Sequence, residues 1–300
     1  MRSQILLAAA LIAAIGTPAT AQRGRRPDTA AHPTRQDAPI STSDTRFTPA
    51  LKSGQRLSVS NIDGNVTVTQ GRGQNAEIVA HEIVRRGNGD LVKAVLEETS
   101  NGYRVCTVYL RDVKDSDGCD RNRRGNSDWR EPLDVDMQYD IRLPAGVALT
   151  VNTVDGNVDA RGIDTPASIR SVDGSITFEG VAPEGLNTVD GAITATVTNT
   201  DWSHALSVRT VDGKIDLTLP AKTNAKVSGQ SIDGEITSDF AVTVSGKWGP
   251  QSFHGEIGNG GSPSIELRTV DGSIHLRSSD GAKHGETQVE PARRRGRGRP

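Results

Sequence analysis

The sequence predicts an all-β fold, a single-stranded β-solenoid (β-helix) of about eight coils, from three features. A six-residue string centred on Asp-Gly recurs at a period near 19 residues, aliphatic residues hold fixed places in each copy, and the composition is rich in glycine and poor in aromatics. The 300 residues include 32 Gly but only four Phe, three Trp and three Tyr, which fits a long, thin-cored, turn-rich chain. A formal net charge of −2 excludes a strongly basic surface built for nucleic acid. Two cysteines exclude both a disulfide-dense scaffold and a four-thiolate zinc site.

The repeat reads NIDGNV at 61–66, TVDGNV at 153–158, SVDGSI at 171–176, TVDGAI at 188–193, TVDGKI at 210–215, SIDGEI at 231–236 and TVDGSI at 269–274. The candidate repeat turns are therefore Asp63-Gly64, Asp155-Gly156, Asp173-Gly174, Asp190-Gly191, Asp212-Gly213, Asp233-Gly234 and Asp271-Gly272. After Asp155 the steps between aspartates are 18, 17, 22, 21 and 38, and the last is read as hiding a decayed copy, SFHGEI at 252–257, with His254 in place of Asp. A propeller blade needs about 40–45 residues, and the leucine-rich and calcium-binding nonapeptide signatures are absent, so the period points to a stacked array.

Asp-Gly between strands often marks a two-residue hairpin. Here a hairpin would mix apolar and polar residues on each face, so one bent strand is the better reading. It turns Val172, Gly174, Ile176 and Phe178 inward and Asp173, Ser175 and Thr177 outward, with glycine where backbones approach closely. A second strand precedes each copy, as in Leu206-Ser207-Val208 and Ile265-Glu266-Leu267, and a polar corner such as Arg209-Thr210 or Arg268-Thr269 shifts the alternation by one. Each coil supplies a few inward Val, Ile or Leu residues and needs its neighbours to bury them.

Around this array the chain divides into a signal peptide (1–21), a linker expected to be disordered (22–46), the solenoid domain (47–278, with an insert at 70–148) and a basic tail expected to be disordered (279–300). Met1-Arg2, the apolar run Ile5–Ile15 and Ala19-Thr20-Ala21 have the form of a cleavable export signal. Eleven apolar residues are too few for a membrane anchor, and no later apolar run approaches 18 residues, so no transmembrane segment is expected after cleavage. The location read from this is exported: periplasmic, cell-envelope or secreted. That compartment favours pairing of Cys106 with Cys119. Within the insert, strands are expected at Ala76–Val84, about Ala94–Ser100, Tyr103–Tyr109 and Val135–Leu143, with a short helix over Asp90–Glu97 as an alternative.

Stacking would place Asp155, Asp173, Asp190, Asp212 and Asp233 in a column. Like charges about 4.8 Å apart repel by only about 1 kcal/mol in water. Asp side chains bonding the amides of the glycine bend, and Arg170, Arg209 and Arg268 three positions earlier, would offset that. A purely structural ladder is the favoured reading, beside a calcium-binding edge and a catalytic carboxylate pair. Many equal sites argue against catalysis. His32, His81, His204, His254, His275 and His284 show no ligand spacing, and Trp129, Trp202 and Trp248 are read as loop residues.

The run DIRLPAGVALTVNTVDGNV at 140–158, followed by repeated [ST]-[VI]-D-G-x-[IV], resembles the bacterial "putative adhesin" family of β-strand repeat proteins, whose toastrack-type domain has no assigned function. The resemblance covers about 47–278 and implies a right-handed-type β-solenoid in the cell envelope, with no catalytic residues and no cofactor to carry over. The function expected is a non-enzymatic, adhesin-like solenoid that binds or scaffolds envelope proteins or polysaccharide, without sequence-specific nucleic-acid binding. A carbohydrate-active β-helix lyase or hydrolase, or a periplasmic sensor partnered with a membrane signalling protein, are the alternatives.

Overall fold

The computed structural model of the chain describes residues 39, 41–110, 118–119, 133–200, 204–246, 249–285 and 287–290. The predicted signal sequence, the charged loop at 120–132, the terminal Gly/Arg stretch at 291–300 and Trp129, Trp202 and Trp248 lie outside the described residues. The strands are β1 (Ser41–Phe47), β2 (Arg56–Ser60), β3 (Val66–Gln70), β4 (Glu77–Arg86), β5 (Val92–Thr99), β6 (Gly102–Tyr109) and β7 (Asp134–Leu143). They continue as β8 (Ala148–Asn152), β9 (Val158–Arg170), β10 (Ile176–Asn187), β11 (Ile193–Val197), β12 (Leu206–Arg209), β13 (Ile215–Leu219) and β14 (Ala225–Asp233). The last are β15 (Ile236–Ser238), β16 (Thr243–Ser245), β17 (Gln251–Ile257), β18 (Ser264–Asp271), β19 (Ile274–Ser278) and β20 (Gln288–Glu290). The expected alternative at Asp90–Glu97 resolves as a single 3-10 turn, Gly89–Leu91, followed by strand β5.

The fold is all-β and solenoid-like, built on two parallel ladders. Strands that lead into an Asp-Gly corner stack in the order β2, β8, the second half of β9, the second half of β10, β12, β18 and β14, with β6 added beside β2. Strands that leave it stack as β3, the first half of β9, the first half of β10, β11, β13, β19 and β15, with the straight strand β7 added beside β3. Because β9 and β10 run without a break from one ladder to the other, the two join into one sheet.

Stacking in register turns the sequence repeat into buried columns. Val66, Val158, Ile176, Ile193, Ile215, Ile274 and Ile236 are consecutive neighbours, and every one is buried. In the column beside it Phe178 lies between Ala160 and Ala195, so two small neighbours make room for one ring. No coil owns this core, since each inward side chain buries its apolar surface against the coils above and below.

The order of the layers departs from the order of the sequence at both ends. The last full copy is not the last layer: β18 and β19 lie between β12–β13 and β14–β15, so Asp271 stacks on Asp212 and Asp233 stacks on Asp271. The segment SFHGEI, expected as a decayed coil, is instead β17, which runs antiparallel to both β14 and β16. Its Phe253 is buried, and the ring occupies the space that a side chain on Gly229 would take. A strand that closes a sheet edge needs an apolar plug there and not a corner, which is why the aspartate is dispensable in this segment.

At the opposite end the expected insert is part of the stack. β6 and β7 form the layer beyond β2 and β3, and antiparallel β5, β4 and β1 close its edges. Residues 41–46, expected within the linker, belong to β1, whose side chains are nearly all exposed. It is held by backbone pairing along β4, which needs no apolar content. The tail expected from 279 likewise begins in structure, with His284 stacked on Phe240 and β20 paired to β16. Cys106 and Cys119 form a disulfide that ties the start of the charged loop to β6 and packs with Val108 and Leu110.

The buried columns yield a direct test. Replacing Ile215 with Asp puts an unpaired carboxylate between Ile193 and Ile274 and is expected to cost several kcal/mol. Thermal unfolding followed by circular dichroism checks this, and an unchanged Tm contradicts the inward assignment.

Candidate functional site

The feature repeated most faithfully is the corner itself. Along β18 the alternation runs Ile265 in, Glu266 out, Leu267 in, Arg268 out, Thr269 in and Val270 out. It breaks only after Val270, where Asp271 also faces solvent. In the six copies from residue 153 onward the aliphatic residue before aspartate, expected inside, is therefore outside, and the Ser or Thr before it is buried instead. Nor does the shift occur at the Arg-Thr pair. The chain carries its alternation through threonine and turns at Asp-Gly.

The buried hydroxyls explain the preference for Ser and Thr. Thr188 donates to the Gly174 carbonyl at 2.9 Å, Thr210 to Gly191 at 3.0 Å, Thr269 to Gly213 at 3.0 Å, Ser231 to Gly272 at 2.8 Å and Ser171 to Gly156 at 3.2 Å. Each bond joins one layer to the next and satisfies a carbonyl that would otherwise lie buried at the bend. At the first copy Asn61 takes this role, with Nδ2 donating to Gly64 and Met137 carbonyls at 2.8 Å each. The Thr153 hydroxyl is buried without a partner, because the equivalent carbonyl, that of Gly64, already accepts from Asn61.

Glycine is required for two reasons, seen at Gly191. Its φ of +150° is a conformation that side-chain-bearing residues rarely adopt, and a Cβ there would collide with the Gly174 carbonyl of the next layer. The contrasting case is β7, where Val135-Asp136-Met137-Gln138-Tyr139 keeps the apolar–Asp–x–x–apolar spacing but has Met in the glycine place. There the strand runs straight, with Val135, Met137 and Tyr139 all buried. That spacing is the signal that assigns Asp136 to the position beside Asp63, a relation the search for Asp-Gly passes over.

The corners together make a striped edge. Asp63, Asp155, Asp173, Asp190, Asp212, Asp271 and Asp233 are successive neighbours. Val154, Val172, Val189, Val211, Val270 and Ile232 form the column beside them, each 41–47% exposed. The carboxylates of Asp155, Asp173, Asp190, Asp212, Asp233 and Asp271 make no hydrogen bond or ion pair among the described residues. They bond neither the bend amides, which donate to backbone carbonyls, nor the nearby arginines. Arg209 and Arg268 instead clasp the two oxygens of Glu266, whose carboxyl they hold below its ordinary range, chiefly through the Arg209 hydrogen bond. Arg170 is exposed.

One end of the aspartate column differs from the rest. Asp63 is half-buried, and its pKa is raised from the usual 3.8 to about 6 by burial first, then by Asp136, Asp155 and Asp134, with Arg85 opposing. Arg85 reaches across to Asp136 and, at 3.8 Å, Asp134. Behind this end lies a buried network in which Thr107 donates to Asn61 Oδ1 at 2.6 Å and lies 2.9 Å from the Tyr139 hydroxyl.

Two polar clusters elsewhere on the surface are paired within the fold. Burial alone would raise the pKa of Asp216, but hydrogen bonds from Lys214 and His275 outweigh it and hold the carboxyl low; their contacts are 3.0 and 2.8 Å. His81 lies between Asp44 at 2.8 Å and Asp140 at 3.2 Å. Among the described residues, no group of three or more His, Cys, Asp or Glu is placed to hold a metal ion. No helix among them is long and apolar enough to cross a membrane.

A family model for Toastrack DUF4097 matches residues 50–277. The chain belongs to that family. Solved structures with a similar outline include a putative cell adhesion protein from Clostridium sporogenes, at 8% identity and TM-score 0.43, covering 80% of this chain and 100% of that one. A putative adhesin from Bacteroides fragilis matches at 11% identity and TM-score 0.32, covering 79% and 97%. A putative lipid binding protein from Parabacteroides distasonis matches at 10% identity and TM-score 0.25, covering 80% and 98%. No curated protein matches the chain.

The corner geometry sets two expectations. Gly191→Ala is expected to lose at least about 2 kcal/mol through backbone strain and the carbonyl clash. Gly73→Ala, at an exposed site where a Cβ would meet only ordinary contacts with Asn75, is expected to be neutral; denaturant unfolding compares the two. The raised pKa of Asp63 gives a pH signature. A carboxyl that holds its proton more tightly in the folded chain stabilises the fold fully below about pH 4, and that gain is lost as pH rises through about 6. Asp63→Asn is therefore expected to raise Tm at pH 7.5, with the advantage fading towards pH 4.

Proposed function

We propose that this Toastrack-family chain is an exported, non-enzymatic envelope or extracellular β-solenoid, right-handed and of about eight coils, that binds or scaffolds surface components. Supporting export are the signal-like first 21 residues and the disulfide, which suits an oxidising compartment. The names of the similar structures, adhesins and a lipid binding protein, agree with a role at a surface.

The observation that carries the reading is the row of solvent-facing aliphatic side chains beside the aspartates. Burying Val154, Val172, Val189, Val211, Val270 and Ile232 would lower free energy, yet the corner geometry turns all six outward in register. Singly exposed apolar residues need no explanation; a contiguous, polar-rimmed row marks an interaction surface. The regularity also speaks against catalysis, which needs one special place, whereas the edge repeats the same groups layer after layer.

A binding screen against glycans and envelope proteins tests the reading, with the full chain and a Val172→Ser, Val189→Ser, Val211→Ser variant side by side. Capture that falls at least tenfold in the variant, with its Tm retained, is expected. Capture of the same component by both chains alike would remove the edge as the binding surface.

A further inference from the structure

We infer that the corner edge is the contact surface for a second copy of this chain, related by a two-fold axis parallel to the aliphatic column. The inference rests on the reading of that edge as a binding surface and names its partner.

Three columns lie side by side along the edge. Three positions before each aspartate stands a side chain with N–H donors: Asn152, Arg170, Asn187, Arg209, Arg268 and Gln230. The strand registers make these six successive neighbours. Arg170, Arg209, Arg268 and Gln230 are exposed, and Asn152 and Asn187 are partly so; Arg209 and Arg268 already hold Glu266 and offer only their remaining N–H groups, whereas Arg170 has no ion partner among the described residues. Next comes the aliphatic column, and beyond it the aspartates, whose carboxylates accept nothing from the described residues. Across the edge the order is thus donor, aliphatic, acceptor on every layer from Asp155 to Asp233.

Two such edges can meet with two-fold symmetry in two ways. An axis running across the columns sets aspartates against aspartates and donors against donors. That arrangement gathers unpaired like charge and gives Arg170, Asn152, Asn187 and Gln230 no acceptor. An axis running along the columns reverses left and right but keeps height. Aliphatic then meets aliphatic in the middle, and every donor faces the acceptor of its own layer in the other copy. Arg170 faces Asp173 of the second copy, Asn187 faces Asp190, Arg209 faces Asp212, Arg268 faces Asp271, Asn152 faces Asp155 and Gln230 faces Asp233. One registration satisfies all these layers on both flanks, as a closed isologous interface requires. Five steps of about 4.8 Å give a seam roughly 24 Å long. So narrow a contact belongs at the small end of specific interfaces, and the pairing is reversible and concentration-dependent.

Sedimentation equilibrium of the full chain from about 1 to several hundred µM, at low and high salt, tests the inference. A monomer–dimer equilibrium is expected, weakened at least tenfold by Val189→Asp and weakened by Arg170→Asp or Asp173→Arg alone. The double variant, Arg170→Asp with Asp173→Arg, is expected to return to within about threefold of the parent. Circular dichroism confirms folding, and Val189→Ser carries the same expectation, at a smaller loss, should Val189→Asp fold poorly. A chain that stays monomeric throughout, a dimer indifferent to position 189, or a double variant no better than the singles overturns the inference. If the chain is monomeric yet the triple serine variant loses capture in the binding screen, the second copy is excluded while the edge remains a binding surface. If both readouts are unaffected, the edge itself is excluded.

Discussion

The whole stack depends on one close approach, the glycine of each corner lying against the carbonyl of the glycine in the adjacent layer. A backbone can come that near another only where no Cβ intervenes, and only there can successive chains turn at the same place and keep their registers. From that contact follow the inward hydroxyl that satisfies the carbonyl and the outward aliphatic and acidic residues that the turn leaves in solvent. The apolar columns supply most of the favourable free energy of folding, as burial generally does. The corner decides where those columns stand relative to one another.

Much of this is legible in the sequence, because a repeat states its own geometry many times over. The period gives the stacking, the Val or Ile three positions after aspartate gives the buried column, and the strands expected within 70–148 coincide with β4 to β7 to within a few residues. What the pattern hides is the direction of the residue before aspartate. Val172 reads as core because it is apolar, yet it is 41% exposed, while polar Ser171 and Thr188 are buried. Hydrophobicity reports a tendency, and here a hydrogen bond to a trapped carbonyl outweighs it. The same oversight displaced the aspartates, which face solvent freely instead of bracing the turn. The donors on the opposite flank were visible in the sequence as single arginines, but their alignment with asparagine and glutamine emerges only from the registers.

The ends show what the repeat cannot encode. A stack of parallel strands exposes unpaired backbone at its first and last layers, and such edges invite association with other chains. This chain covers them with antiparallel strands, β5 and β4 with β1 at one end and β17 with β16 at the other, where β20 adds in parallel to β16. Apart from β17, their sequences owe nothing to the nineteen-residue period. β1 is nearly all polar, and β17 keeps a faded version of the motif while serving another purpose, with Phe253 lodged over Gly229. Resemblance to the repeat is therefore a record of residue content in that segment and not of its position in the stack.

The interleaved order at the far end carries a consequence for how the molecule assembles during synthesis. Most layers can settle as soon as they leave the ribosome, since the surface they need has already been made. The layer of β14 and β15 has no such surface, because the strands that separate it from β12 and β13 are β18 and β19, which emerge later. It can pair with β17, but it reaches the parallel stack only when β18 and β19 stand between it and β12–β13. β18 and β19 thus act as a keystone: the layer of β14 and β15 joins the rest of the parallel stack only through strands that come after it in the chain.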